Sequence, residues 1–301
     1  MKAKKLWKIL AAVLSVCMLG VAAAGCNNGE ADDASSNITR AIGREAASGT
    51  RSAFHELVKS SEGVSIEEAL ESSQLSTAVS ESTSTAAVIT AVAQRYDTLG
   101  YISLGSLAPN ADKVQAVKVE GVDATVENVV NKSYKLSRPF NLVWNEQRFN
   151  ANDLAVNFVN FIESEAGQEI IGEEGYVTVS GLQIKTYTAY TGTKTVLNIT
   201  GSTSVEPLMR KFVAAYTELN PGITVNIDAQ GSGQGITGAQ EGTNDIGMSS
   251  RDLKSSETGI VSHKIADDGI AVIVKKGSKL TNVTFDQLFN LYMKGTAIEA
   301  K

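Results

Sequence analysis

The sequence predicts an α/β fold in which strands and helices alternate in layers, and three observations predict it. Strand-patterned segments (196–199, 223–227, 269–275) are interleaved with segments of helical spacing (152–171, 207–219). Three glycine- and hydroxyl-rich runs, at 44–51 (REAASGTR), 201–204 (GSTS) and 231–235 (GSGQG), each follow a strand pattern or open a helix pattern. The residues from 38 onward suffice for one large domain or two modest lobes, and the 43% hydrophobic content is ordinary for a globular chain.

Taken in order, Phe54, Leu57 and Val58 give 50–59 helical spacing behind a Ser48-Gly49-Thr50 turn able to cap it. The Ser/Thr-rich stretch 72–85 runs into Ala86, Ala87, Val88, Val92 and Ala93, and so reads as the approach to a helix. Tyr101 to Leu104 is strand-like, 114–119 and 142–144 cluster as strands, and 152–171 carries Leu154, Val156, Phe158, Phe161 and Ile162 as one amphipathic helix. The second half restarts with the strand 196–199 leading into Gly201, then the helix 207–219 and the strand 223–227 before the second glycine run. A short strand at 245–248 ends at Ser249-Ser250-Arg251, a Val/Ile-rich strand covers 269–275, and 284–289 opens a last helix.

The first 25 residues are expected to lie outside this fold. Lys2, Lys4, Lys5 and Lys8 precede an apolar run at 9–23 that is short for a membrane span, and Ala23-Ala24-Gly25 leads to Cys26. This is the pattern of a signal peptide (1–25) ending at a lipidation cysteine, with 26–37 a polar, acidic tether. Cys17 falls inside the leader, so the expected mature chain keeps only Cys26 and has no internal disulfide.

Setting aside those four lysines takes the formal net charge from −6 to −10, which excludes nucleic-acid binding by bulk electrostatics. An anion can still be held locally, by backbone N–H groups at helix starts, by hydroxyls and by one arginine. The three runs supply these groups, and Arg44, four residues before Ser48, reads as a ligand clamp. Arg51 and Arg251 read as partners in lobe-lobe or helix-face salt bridges, His55 and, in a loop before a strand, His263 as surface residues, and Asp267-Asp268 as residues entering a buried strand rather than metal ligands. No run places a lysine after its last glycine as a nucleotide P-loop does, and neither a Gly-x-Ser-x-Gly elbow nor a His-Glu-x-x-His helix occurs. A cofactor, a metal site and an enzymatic reaction are therefore not expected.

The stretches GREAASGTRSAFHELV, LGYISLGSL, SYKLSRPFNLV, NFIESEAGQEIIGEEGY, NITGSTSVEPLMRKF, AQGSGQGI, NDIGMSSRDL and DDGIAVIVKK resemble the phosphate-binding proteins that serve phosphate ABC importers. The resemblance implies a two-lobed periplasmic-binding-protein clamp, type II-like, that holds inorganic phosphate between its lobes and delivers it to ABC permease subunits. It also implies an extracytoplasmic protein held at the lipid bilayer through Cys26. Against the usual order of that family the chain is circularly permuted: 38–181 resembles the family's C-terminal half, 182–196 joins the halves, and 197–301 resembles its N-terminal half. Asn37-Ile38-Thr39 repeats as Asn198-Ile199-Thr200, which suggests recombination between tandem copies and a segment lost near the ends.

Carried over residue by residue, the phosphate contacts implied are Thr203 and Ser204 from one loop, Ser232 from the second, and Arg44, Ser48, Gly49 and Thr50 from the third. Ser250 falls where some members place an aspartate that accepts the phosphate proton, which puts rejection of sulfate in question. The rival expectation is a degenerate or sensory surface lipoprotein of the same fold that binds another oxyanion or nothing.

Overall fold

The computed structural model describes residues 33–300, so the leader, the expected lipidation site Cys26 and most of the tether lie outside the described residues. The chain first builds β1 (Arg40–Arg44), α1 (Gly49–Leu57), α2 (Ile66–Ala69), β2 (Val79–Ser82), α3 (Thr85–Gln94), β3 (Thr98–Ser103), β4 (Val114–Ala116), β5 (Lys118–Val119) and α4 (Val126–Val130). It continues through β6 (Ser137–Trp144), α5 (Glu146–Asn150), α6 (Asp153–Ile162), α7 (Glu165–Glu173) and β7 (Val177–Thr178). There follow β8 (Val196–Gly201), α8 (Glu206–Leu219), β9 (Thr224–Ala229), α9 (Ser232–Glu241) and β10 (Ile246–Ser249). The long strand β11 (Val261–Lys275), β12 (Asn282–Val283) and α10 (Phe285–Lys294) complete it.

One sheet runs through the molecule in the order β2-β1-β3-β11-β6-β10-β8-β9, with β4 and β7 added on β11. The outer strands pair in parallel, β1 with β2 and β3 at one end and β8 with β9 and β10 at the other. The antiparallel pairs lie in the middle, where β11 meets β3 and β6, and β10 meets β6.

Among the described residues, the two larger of three hydrophobic clusters divide this sheet into two lobes, the small third one (Val143, Ile236, Ala239) joining β6 to α9. The first gathers residues from Ile38 to Leu136 and from Ile270 to Ile298, among them Phe54, Tyr101 and Tyr292 in mutual ring contact. The second gathers residues from Phe140 to Tyr176 and from Leu197 to Ala266, with Phe158, Phe161 and Tyr216 at its centre. Each such fully buried side chain contributes roughly 1.5–3 kcal/mol, so each lobe has its own reason to hold together. Among the described residues, two neighbouring strand segments carry the chain between the cores, from Leu136 to Phe140 into β6 and from Ala266 to Ile270 on β11. These crossings lie side by side, Ser137 to Phe140 pairing with Gly269 back to Ala266. Each lobe thus draws on both halves of the sequence, 38–181 and 197–301, and Ile38 and Ile298 exchange backbone hydrogen bonds of 2.8 and 2.9 Å in the first lobe.

Several elements differ from their sequence patterns. The serine-rich approach to α3 contains the edge strand β2, whose alternating serines give no apolar face to read. The single helix expected over 152–171 is two helices. Ser164 breaks it by donating its hydroxyl to Phe161 O (2.6 Å) and accepting the N–H of Gly167 (3.4 Å) as the cap of α7. β11 begins eight residues before the expected 269 and carries His263, which packs against Trp144 rather than lying in a loop. His55 is not a surface residue: it is 2% exposed, because α1 turns that face toward the core. The end of the expected tether is already docked, Ala34 O accepting the N–H of Lys279 at 2.7 Å. The joining segment crosses the second lobe, where Asn220 bonds the Tyr190 N–H and the Tyr187 hydroxyl.

Candidate functional site

Three helix starts meet above the two crossing strands. From the first lobe comes the loop between β1 and α1, with Ser48 as N-cap of α1 and Gly49 and Thr50 in its first turn. From the second come the loop from β8 into α8, which carries Ser202, Thr203 and Ser204, and the start of α9 at Ser232. Ser250 follows β10 directly. A helix's first turn leaves N–H groups without intrahelical partners and concentrates a partial positive charge there.

All eight residues singled out from the sequence are brought together, and the contacts run between lobes. Arg44, 2% exposed, donates from Nη2 to Thr203 Oγ1 at 2.8 Å. The same Nη2 (2.7 Å) and Nε (2.8 Å) also donate to the Glu45 carboxylate. Thr50 Oγ1 and Ser204 Oγ lie 2.8 Å apart. Ser232 Oγ accepts the Ser250 N–H at 3.0 Å and lies 3.3 Å from Ser250 Oγ. Gly49 is the point of closest approach, since a Cβ there would stand 2.3 Å from Ser232 Oγ and 2.7 Å from Ser250 Oγ. Gly231 is required for a second reason: its φ of +117° belongs to glycine, and a Cβ would press on Ala47 O at 2.9 Å.

A pattern runs through these hydroxyls. Ser48 Oγ accepts the Arg51 N–H, Thr203 Oγ1 accepts from Arg44, Thr50 Oγ1 accepts from Arg138, and Ser232 Oγ accepts the Ser250 N–H. A hydroxyl whose oxygen is held by a fixed N–H has its own hydrogen free to donate. The loops therefore present a ring of oriented donors, suited to a ligand rich in acceptor oxygens.

Four contributors escaped the sequence reading. Thr85, at the start of α3, places its hydroxyl 3.3 Å from both Arg44 Nη1 and Ser204 Oγ. Ser202 accepts the Ser204 and Val205 N–H groups and donates to Ser250 Oγ at 3.0 Å. Arg138 and Asp268 face each other across the crossing strands, with Arg138 Nη2 3.1 Å from Asp268 Oδ2 and Ser103 donating to Oδ1 at 2.9 Å. Burial pushes the Asp268 carboxyl up to about 6 against the pull of Arg138, and the same burial lowers the Arg138 pKa. An arginine inside the apolar run SRPFNLV was the available signal for this pair.

Both arginines are in salt bridges: Arg51, on α1, with Glu81 at 2.9 Å as a helix-face pair, and Arg251 with Glu257 at 2.6 Å inside its own loop, a local pair rather than the lobe-lobe or helix-face one expected. A cavity of about 400 Å³ lies between α1 and the 251–254 loop; of the site residues it touches only Arg138. Among the described residues no group of three or more His, Cys, Asp and Glu could hold a metal ion, and no helix is long and apolar enough to cross a membrane.

The chain matches a PBP superfamily domain over residues 27–166 and 188–298. It is 35% identical over 298 residues to a phosphate-binding protein PstS 2 of Streptococcus agalactiae, covering 97% of this chain and 96% of that protein. A phosphate-binding protein PstS 2 of Streptococcus pneumoniae is likewise 35% identical over 296 residues. A crystal structure of a phosphate ABC transporter, phosphate-binding protein from S. pneumoniae superposes with a TM-score of 0.63 at 34% identity, over 87% of this chain and 98% of that one. The alignments run nearly end to end, so these relatives carry their segments in the same order. With the lobes, the shared order and the extent of the match together, the chain belongs to the PBP superfamily and, within it, to the family of the PstS phosphate-binding proteins.

Proposed function

We propose that this protein captures inorganic phosphate between its two lobes and delivers it to the membrane subunits of a phosphate ABC importer. The observation that carries this reading is the donor ring: helix-start N–H groups, hydroxyls whose oxygens are already engaged, and the buried Arg44 converge from both lobes. Such a ring fits a small tetrahedral oxyanion better than a neutral or cationic solute, because every oxygen of the ligand can accept. The contacts assigned to phosphate are Arg44, Ser48, Gly49, Thr50, Thr203, Ser204, Ser232 and Ser250. The protein is a binder and not an enzyme in this reading, since the gathered groups hold an anion without needing to break a bond in it.

The order of segments is read as a circular permutation of the more usual arrangement, with 38–181 and 197–301 as the exchanged halves and 182–196 as the join. Support comes from the Ile38–Ile298 backbone pair, which brings the two ends of the fold together on one lobe. The streptococcal relatives share this order, which removes the reason for regarding this chain as a degenerate relic. Anchoring through Cys26 and an extracytoplasmic location belong to the same reading, on the sequence pattern of residues 1–26.

Titration calorimetry with inorganic phosphate tests the function. Saturable one-to-one binding is expected, with sulfate as the competing anion. Absence of heat and of thermal stabilisation by millimolar phosphate would remove the proposal.

A further inference from the structure

The Arg138–Asp268 pair is not accounted for by the contacts above. The pair sits where β6 and β11 pass side by side from one core to the other, as directly opposed residues of the two strands. Both side chains are buried, at 1% and 0% exposure. An ion pair here gives the hinge little net stability, because removing two charges from water costs about what their attraction returns. Its contacts point to another use. Arg138 reaches both lobes, donating from Nη1 to Thr50 Oγ1 in the first and lying 3.5 Å from the Ser250 carbonyl in the second.

A guanidinium can donate hydrogen bonds but not accept them. When Arg138 occupies the Thr50 oxygen, the Thr50 hydrogen must point away from the hinge, on the side where Ser204 Oγ stands at 2.8 Å. We propose that Arg138, held by Asp268, is a positioning residue of the anion site that fixes the Thr50 hydroxyl as a donor to the bound oxyanion and does so from the hinge. The proposal rests on the phosphate-binding reading. It assigns Asp268 the task of fixing the guanidinium plane, which its Oδ2 does by accepting from both Nε (3.3 Å) and Nη2 (3.1 Å). It also makes the Thr50 corner favour a ligand oxygen that carries no proton, the stronger acceptor of a charge-assisted bond, over a phosphate P–OH.

The test is a double-mutant cycle on phosphate affinity, measured by calorimetry on the whole chain. Arg138→Met together with Asp268→Leu, one change that leaves no unpaired charge, is combined with Thr50→Val. The hinge change is expected to weaken phosphate binding at least 10-fold alone and less than 3-fold in the Thr50→Val background. Should the hinge variant fail to fold, Arg138→Lys takes its place in the same cycle. It keeps the charge opposite Asp268 but loses the fork that reaches Asp268 and Thr50 together, so a smaller loss, again confined to chains with Thr50, is expected. Equal losses in both backgrounds, with the wild type binding normally, would show a merely structural pair and overturn the proposal alone. A wild-type chain that binds no phosphate would overturn the functional reading and this proposal with it.

Discussion

Replacing Arg44 by alanine should weaken phosphate binding far more than replacing Arg251. Arg44 is almost wholly buried, reaches Thr203 across the cleft through Nη2 and Thr85 through Nη1, and is held by Glu45 through Nε and Nη2, so its guanidinium stands inside the donor ring. A hydrogen bond to a charged group contributes roughly 1.5–3 kcal/mol, which alone corresponds to about 10- to 150-fold in Kd. The truncation also leaves Glu45 beside the anion without its partner. That carboxylate is 15% exposed, so water relieves only part of the repulsion, and a total loss of at least ~100-fold follows. Arg251 spends its guanidinium on Glu257 and Asp252 O and bonds none of the ring's hydroxyls, so its loss, whatever it costs in stability, should change phosphate affinity by under roughly 5-fold, less than about 1 kcal/mol. Calorimetric titration of both variants with phosphate, after thermal melts show them folded, measures the contrast. In the Arg44→Ala variant, adding Glu45→Gln should recover part of the affinity. Equal losses for the two arginines, or no recovery, would refute the placement of Arg44 at the anion.

The layering and the site loops were legible in the sequence for physical reasons that do not extend to the hinge. Helix starts announce themselves locally: Ser48, Ser84 and Thr284 each cap the helix that follows, and a capping hydroxyl is a short-range requirement, whereas the Ser164 cap lies hidden inside an apolar periodicity that continues across it. The convergence of 44–50, 201–204 and 231–235 could be inferred because each offers the same chemistry, even though Arg44 and Thr203 stand far apart in sequence. Arg138 and Asp268 carry no local sign of their partnership; only the register of β6 against β11 puts them opposite. Thr85 was hidden in a serine-rich run whose polar alternation also concealed β2. His55 was misplaced because one histidine in an amphipathic helix fits either face. Its burial is decided by Phe54, which stacks on Tyr101 at 4.1 Å and draws that side of α1 inward.

Three substitutions and one mass measurement extend these arguments. Gly49→Ala should lower phosphate affinity by roughly tenfold or more, about 1.4 kcal/mol, with little change in melting temperature, since the new methyl meets Ser232 and Ser250 of the opposite lobe; unchanged affinity would mean that the lobes need not approach this closely. Ser250→Asp should raise the phosphate-to-sulfate affinity ratio, because a carboxylate there accepts the phosphate proton and repels an anion that has none; a ratio that is unchanged or lower in competition titrations would take Ser250 out of the cleft. His55, whose pKa burial and then the Arg51 charge lower from 6.5 to about 3, makes the folded state bind its proton less readily than the unfolded chain. Its contribution to stability is thus full above 6.5 and lost as pH falls toward 3, roughly 2 kcal/mol by pH 5, so urea unfolding should show His55→Gln losing that much less than wild type between pH 7.5 and 5; parallel losses would contradict the sign. The last concerns the number of chains per cleft. Within one chain Arg44 meets Thr203, Thr50 meets Ser204, and Ile38 pairs with Ile298, so a complete donor ring needs no second copy. A swapped dimer would make those same contacts between chains, and both mass and affinity would then fall together on dilution. Scattering should instead give the mass of a single chain across the micromolar range, with phosphate affinity independent of protein concentration; a mass of two chains that dissociates as binding weakens would assign each cleft to a pair.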